Sequence, residues 1–406
     1  MKDLKLNKVV LAYSGGLDTS VMISWLKENY GCEVIAVAAD VGQDSDLKGI
    51  EQKALSTGAS KIFVEDLREE FASDFVFETL KAGAKYENQY LLGTAFARPI
   101  IARRMVEIAH EENADAIVHG CTGKGNDQVR FETSIRYFDP DIKIIAPWRY
   151  WDIKSREQEE EYAMKRNIPL SKKTGCQYSE DKNLWHISHE GLELESPSNA
   201  PNYDNFLEWI KKVEDSDDKA EYISIEFKDG VPISINEKEL KSYEIIEKLN
   251  EIGGKHAIGI DDIIESRITG MKVRGVYENP AGAILYKAHD ILESLTLDGD
   301  TLKFKQILSL RYAEEVYKGL WYSQLRKSLQ EFVNYTQKRV SGVVKLKLYK
   351  GNIIPNGVDS KFSLFSQEFA TFEEDHVYNQ SDSEGFVNIF SLPIKIEAMK
   401  RKENKW

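Results

Sequence analysis

The sequence predicts an α/β protein: first a doubly wound parallel sheet, then an α+β region and a C-terminal arm. Short, continuous apolar runs alternate with helical stretches through the first 170 or so residues, as in strands covered on both faces. Two glycine-rich segments follow such runs directly, at the carboxyl ends where sheets of this kind place ligands. From about residue 175 the pattern changes to hairpin alternation and amphipathic helix.

KVVLAY (8–13) opens the sheet, and a glycine turn leads into a helix from about Thr19 to Asn29. EVIAVAAD (33–40) is the second strand, and Asp46 to Ser56 reads as the next helix. KIFVEDL (61–67), AIVHGC (116–121) and KIIAPW (143–148) are further runs of strand length. VEDSDDKAE (213–221) is an exposed acidic loop by composition. The alternation over 222–236 turns at Asp229-Gly230, a hairpin signal. Ala313, Val316, Leu320, Leu325, Leu329 and Phe332 recur at near-helical spacing and predict one helix over 311–338. Residues 343–358 read as another hairpin. The tail carries Phe386, Ile389, Phe390 and Leu392, too few apolar groups to bury alone, so it is expected to pack on another subunit or wrap back. No internal repeat or low-complexity tract interrupts this order.

A chain of 406 residues holds two or three domains of roughly 150 residues each. With 42% hydrophobic and 30% charged residues it has material for a core and no case for disorder. Lys and Arg total 54 against 67 Asp and Glu, and a net charge of −13 argues against a general nucleic-acid-binding face. Cys32, Cys121 and Cys176 include no CxxC pair, which points to a reducing compartment and away from zinc ribbons or disulfides. The first residues lack a signal-peptide h-region, and no apolar run approaches the ~18 residues of a span. The expectation is a soluble, cytoplasmic protein with neither nucleic acid nor membrane as partner.

AYSGGLDTS (12–20) lies between strand and helix. Gly15 and Gly16 are expected to supply positive φ and room for an oxyanion; Ser14, Thr19 and Ser20 add hydroxyls, and the helix start adds free N–H groups. Such a nest suits a di- or triphosphate. Asp18 belongs beside phosphates only with a Mg²⁺ between them, or else as a helix cap. Neither GxxxxGK[ST] nor GxGxxG is present here. The loop resembles that of the N-type ATP pyrophosphatases, which implies adenylation by ATP and an adenine nucleotide alpha hydrolase-like domain.

HGCTGKGNDQVRFE (119–132) also follows a strand. Gly120, Gly123 and Gly125 open the backbone, while Thr122, Lys124, Asn126, Asp127 and Arg130 gather mixed charge suited to an amino-acid zwitterion. His119 reads as a structural strand-end histidine and Cys121 as a small filler. Glu265 and Arg267 read equally well as a surface ion pair.

These segments, with GTAFARP (93–99), IAPWR (145–149), the region around Ser179 and HIS (186–188), and ESRITGMKVRGVYENPAG (265–282), resemble the argininosuccinate synthase family in order and spacing. The resemblance runs from about residue 8 to 320 and weakly through GFVNIFSL (385–392). It implies a C–N ligase of arginine biosynthesis that joins citrulline to aspartate using ATP and Mg²⁺. Other adenylating pyrophosphatases, and an ATP-binding module without turnover, are the rival readings. The implied division is a nucleotide-binding domain over 1–170, a synthetase domain over 171–362 and an oligomerisation arm over 363–406, in a homotetramer. The implied ATP positions are Ala12, Tyr13, Ser14, Gly15, Gly16, Leu17, Asp18, Thr19, Ser20, Ala39 and Gly120. Thr122, Asn126 and Asp127 are implied for aspartate. Tyr90, Asn126, Arg130, Ser179, Ser188, Glu265 and Tyr277 are implied for citrulline. Ala95 stands where many members of the family have a serine that touches citrulline, with Thr94 adjacent.

Overall fold

The computed structural model describes residues 5–43, 47–123, 125–153, 155–169, 178–371, 377 and 379–404. Lys124, Cys176 and the Asp46 start of the second predicted helix lie outside them.

The first region runs β1 (Lys8–Ala12), α1 (Leu17–Tyr30), β2 (Glu33–Asp40), α2 (Ile50–Thr57) and β3 (Lys61–Asp66). It continues with α3 (Arg68–Glu70), a π-helical stretch (Phe71–Val76), α4 (Phe77–Lys81) and α5 (Gly93–Glu111). Next come β4 (Ala116–Val118), α6 (Asp127–Phe138), β5 (Lys143–Ile145) and α7 (Arg156–Lys165). The strands form one parallel sheet in the order β3-β2-β1-β4-β5. Side chains alternate across it. Val9, Leu11, Val34 and Ala36 join the cluster containing Met22, Ile23 and Leu26 of α1, while Val10, Ile35 and Val37 join Ala102, Met105 and Val106 of α5. Each such Val, Leu or Ile is worth roughly 1.5–3 kcal/mol when fully buried. This is the predicted doubly wound sheet. Its strand order reverses between β1 and β4, and both glycine-rich loops leave the sheet at that point.

The second region is antiparallel. It comprises β6 (Ser179–Lys182), β7 (Ile187–Glu190), β8 (Glu221–Lys228), β9 (Val231–Ile235), β10 (Lys238–Glu239) and α8 (Ser242–Lys255). It goes on through β11 (Ile260–Ser266), β12 (Lys272–Glu278), α9 (Pro280–Thr296), α10 (Gly299–Tyr317) and α11 (Gln324–Gln337) to β13 (Gly342–Tyr349) and β14 (Asn352–Asp359). One sheet has the order β10-β9-β8-β13-β14, the other β11-β12-β7-β6. The hairpin at Asp229-Gly230 is present, both residues having positive φ as its tight turn requires. The single helix predicted over 311–338 is instead two. Gly319 at φ +77° terminates α10, and Ser323 restarts the chain as α11 by accepting from Arg326 N.

Residues 363–406 form a compact unit of their own, with α12 (Gln367–Ala370), α13 (Asp382–Phe390) and α14 (Leu392–Asn404). Among the described residues, no helix is long and apolar enough to cross a membrane.

Candidate active site

A cavity of about 660 Å³ opens at the carboxyl ends of β1 and β4. Ala12, Tyr13, Ser14, Gly16, Leu17, Asp18 and Thr19 line one part of it, with Ala39 from β2 and Gly120 after β4. Gly15 and Ser20 do not line it; they support the loop from behind. Gly15 takes φ +74° and its carbonyl accepts a hydrogen bond from Lys53 Nζ. Ser20 Oγ lies 3.2 Å from the Tyr13 hydroxyl and donates to Gly16 O at 2.7 Å. The expected positive φ at Gly16 is not found: it is the N-cap of α1, at φ −69°. Its use lies in leaving the helix amides uncovered, because no side chain caps them. Asp18 is therefore not the cap.

The glycines of the second loop likewise avoid positive φ. Gly120 sits close to α1, where an added Cβ would come within 3.4 Å of Thr19 and Met22. Thr122, Asn126, Asp127 and Arg130 all line the cavity. Asn126 is the N-cap of α6, which sets Asp127 at the helix start and Arg130 one turn along. Here the structure refines the zwitterion reading, since Arg130 Nη1 is 2.9 Å from Asp127 Oδ1. The two charges already face each other. Arg98 of α5 grips the same carboxylate, Nε to Oδ2 at 3.0 Å, and bridges to Asp181. Burial would push Asp127 up, but Arg98 and Arg130 hold it below the usual carboxylate range. Thr94 Oγ1 donates to Asp181 Oδ2 at 3.1 Å and lies 3.0 Å from His186 Nε2, so its hydroxyl is already engaged beside the buried methyl of Ala95.

The remaining residues come from one face of the β11-β12-β7-β6 sheet. Ser188 of β7 pairs with Tyr277 of β12 and with Asp181 of β6, which places Ser179 two residues away on the same face. Tyr277 pairs with Asp261 of β11, and Glu265 follows four residues on, again on that face. Each of the four strands thus delivers one predicted residue to the cavity. Glu265 is buried and takes a hydrogen bond from Tyr317, while its Oε2 has no partner among the described residues. Burial pushes its carboxyl up, opposed by the Tyr317 hydroxyl and Arg130. Arg267 pairs instead with Glu190 at 2.6 Å, so the surface-pair reading of Glu265 fails. Tyr90 lies beneath, its hydroxyl accepting from Thr94 N at 3.1 Å.

His119, expected to be structural, is fully buried, 3.2 Å from Glu132 and stacked on Phe131, at the edge of the cavity lining. Cys121 is half-buried and lines the cavity, where burial pushes its thiol well up. The sequence assigns nothing to Arg98, Thr94, Asp181 or Tyr317. Arg98 and Thr94 lie within GTAFARP; the other two carry no sequence signal.

Two family models match the chain: "Arginosuccinate synthase N-terminal HUP domain" over residues 8–169 and "Arginosuccinate synthase C-terminal domain" over 178–397. The chain belongs to the argininosuccinate synthase family. Argininosuccinate synthase from Clostridium perfringens (strain 13 / Type A) is 58% identical over 394 residues, covering 97% of each chain. That from Acetivibrio thermocellus is 58% identical over 398 residues, 98% of each. That from Desulfitobacterium hafniense (strain Y51) is 57% identical over 401 residues, 99% of this chain and 98% of its own. Family membership makes the protein a ligase of arginine biosynthesis, and its HUP domain is the parallel-sheet region that carries the SGG loop.

Proposed function

We propose that this enzyme binds ATP along the SGG loop and condenses citrulline with aspartate through a citrullyl-adenylate. The observation that carries the reading is the shared cavity. An anion nest on the parallel sheet and an amino-acid-like set of Asp127, Arg130, Glu265 and Ser188 open into the same space. The ureido oxygen of citrulline attacks the α-phosphorus of ATP, and pyrophosphate leaves toward Gly16 and the first amides of α1. The ureido carbon then carries AMP as leaving group. The aspartate amine forms the new C–N bond there, and AMP departs with the ureido oxygen. The chain holds three reactants in line and stabilises anionic charge, so no covalent enzyme intermediate is needed.

Asp18 lines the cavity and faces Glu159 of α7, whose carboxyl is pushed up to about 8 by burial and then by Asp18. Among the described residues, no hydrogen-bond partner meets Glu159 Oε1. Crowded carboxylates beside a phosphate nest fit Mg²⁺, held by Asp18 with Glu159 behind it. When bound, the ion would offset charge on the phosphates. The same reading takes 1–170 as the nucleotide-binding domain, which also carries Tyr90, Thr122, Asn126, Asp127 and Arg130, 171–362 as the synthetase domain that completes the amino-acid subsites, and 363–406 as the arm for tetramer assembly, in the cytoplasm. The family boundaries near 169 and 178 and the separate compactness of 363–406 support that division.

Citrulline carrying ¹⁸O in its ureido group tests the chemistry. The expected products are AMP with one ¹⁸O and unlabelled pyrophosphate. AMP whose new oxygen comes from water would overturn the adenylate.

A further inference from the structure

Tyr317, the last residue of α10, touches residues assigned to both amino-acid substrates. Its phenol oxygen accepts from Asn126 Nδ2 at 2.9 Å and donates to Glu265 Oε1 at 2.9 Å. Its backbone carbonyl accepts from Arg130 Nε at 3.0 Å, and the Arg130 guanidinium lies 4.9 Å from the ring centre. The ring itself cannot wander. It stacks on Tyr86 with centroids 3.6 Å apart and planes 5° from parallel, and the residue is 1% exposed. The turn that follows is fitted to α6 as well. A Cβ on Gly319 would come 2.6 Å from Arg130 Cα, so only glycine lets the end of α10 approach so closely.

From this geometry we infer that Tyr317 is a positioning residue whose hydroxyl fixes Glu265 and Asn126 together, coupling the citrulline and aspartate subsites. The inference rests on the proposed function. With Oε1 held by the phenol, Oε2 is the Glu265 oxygen left for a ligand N–H. Asn126 Oδ1 accepts from Ile268 N at 3.0 Å, and one amide hydrogen goes to Tyr317, so a single hydrogen of fixed direction remains for substrate.

Tyr317→Phe keeps the ring, the stacking and the carbonyl, and removes only the hydroxyl. The citrulline KM should rise about 10- to 100-fold, as for a hydrogen bond to a charged group, with the ATP KM nearly unchanged. Glu265 faces Arg130 from α6, Glu190 from β7, Arg267 just beyond β11, and the phenols of Tyr90 and Tyr277. None of these donates a hydrogen bond to it among the described residues, so losing the Tyr317 hydroxyl should raise its protonation point. The acid limb of kcat/KM for citrulline then moves to higher pH. In a cycle with Glu265→Gln, the two effects should be less than additive. Additive effects, an unmoved acid limb, or a lowered Tm with all three KM values raised alike would overturn the inference. Wild-type protein that releases no AMP with ATP, citrulline and aspartate would remove the proposed function itself. Active wild type whose citrulline KM ignores Tyr317→Phe removes only this role.

Discussion

Arg98 shows how the site is prepared at the level of single residues. One guanidinium spans Asp127 on α6 and Asp181 on β6, so it ties the parallel-sheet region to the antiparallel sheet across the cavity. A planar fork can do this and a point-charge ammonium cannot. Arg98→Lys should therefore raise the aspartate KM by about 10- to 100-fold, the loss expected for a charged hydrogen bond, while ATP binding holds. Steady-state kinetics with each substrate varied in turn decides the matter, and an unchanged aspartate KM would remove Arg98 from this role. The SGG loop also divides its work between residues. Of its two adjacent glycines only Gly15 uses the left-handed region, while Gly16 serves by leaving amides bare.

Among elements, α9, α10 and α11 are joined by a buried polar cluster. Lys305 of α10 lies 2.9 Å from Glu293 of α9, which also accepts from Gln337 of α11 at 2.5 Å. His289 Nε2 in turn lies 2.8 Å from Gln337 Oε1. Removing one partner strands a charge away from water. Lys305→Met should therefore cost about 3–5 kcal/mol, far more than a surface ion pair. Urea unfolding checks this, and a loss below about 1 kcal/mol would show that the carboxylate finds water. The break between α10 and α11 was hidden in the sequence because Leu320 and Leu325 continue the apolar rhythm across it. Leu325 is nevertheless 41% exposed, so periodicity alone cannot mark a helix end that a glycine and a serine cap define.

For the whole molecule, the separate unit beyond residue 362 matters most. Phe386, Ile389, Phe390 and Ile394 on its helices are 64%, 72%, 73% and 72% exposed. Apolar surface of that kind calls for cover, and a second copy of the chain is the cover proposed here. Deleting 363–406 should lower the mass found by light scattering from that of the proposed tetramer to a smaller species, and should leave the main body folded, since it is compact without the arm. An unchanged mass would mean that assembly uses another surface.

What the sequence determined by itself was local. A β-strand followed at once by glycines and a helix start is written in consecutive residues, so both loops and the parallel sheet were legible, as was the hairpin at Asp229-Gly230. Ser179, Ser188, Glu265 and Tyr277 carried no such signal, and only the likeness to the family singled them out. Only tertiary structure brings them to one face, because strand register and order in the β11-β12-β7-β6 sheet depend on pairing between segments far apart in the chain. The same holds for charge. Sequence places Asp127 and Arg130 one helical turn apart, but packing alone decides that Arg98, Asp181 and Tyr317 complete their bonds, since α5, β6 and α10 meet only in the folded chain.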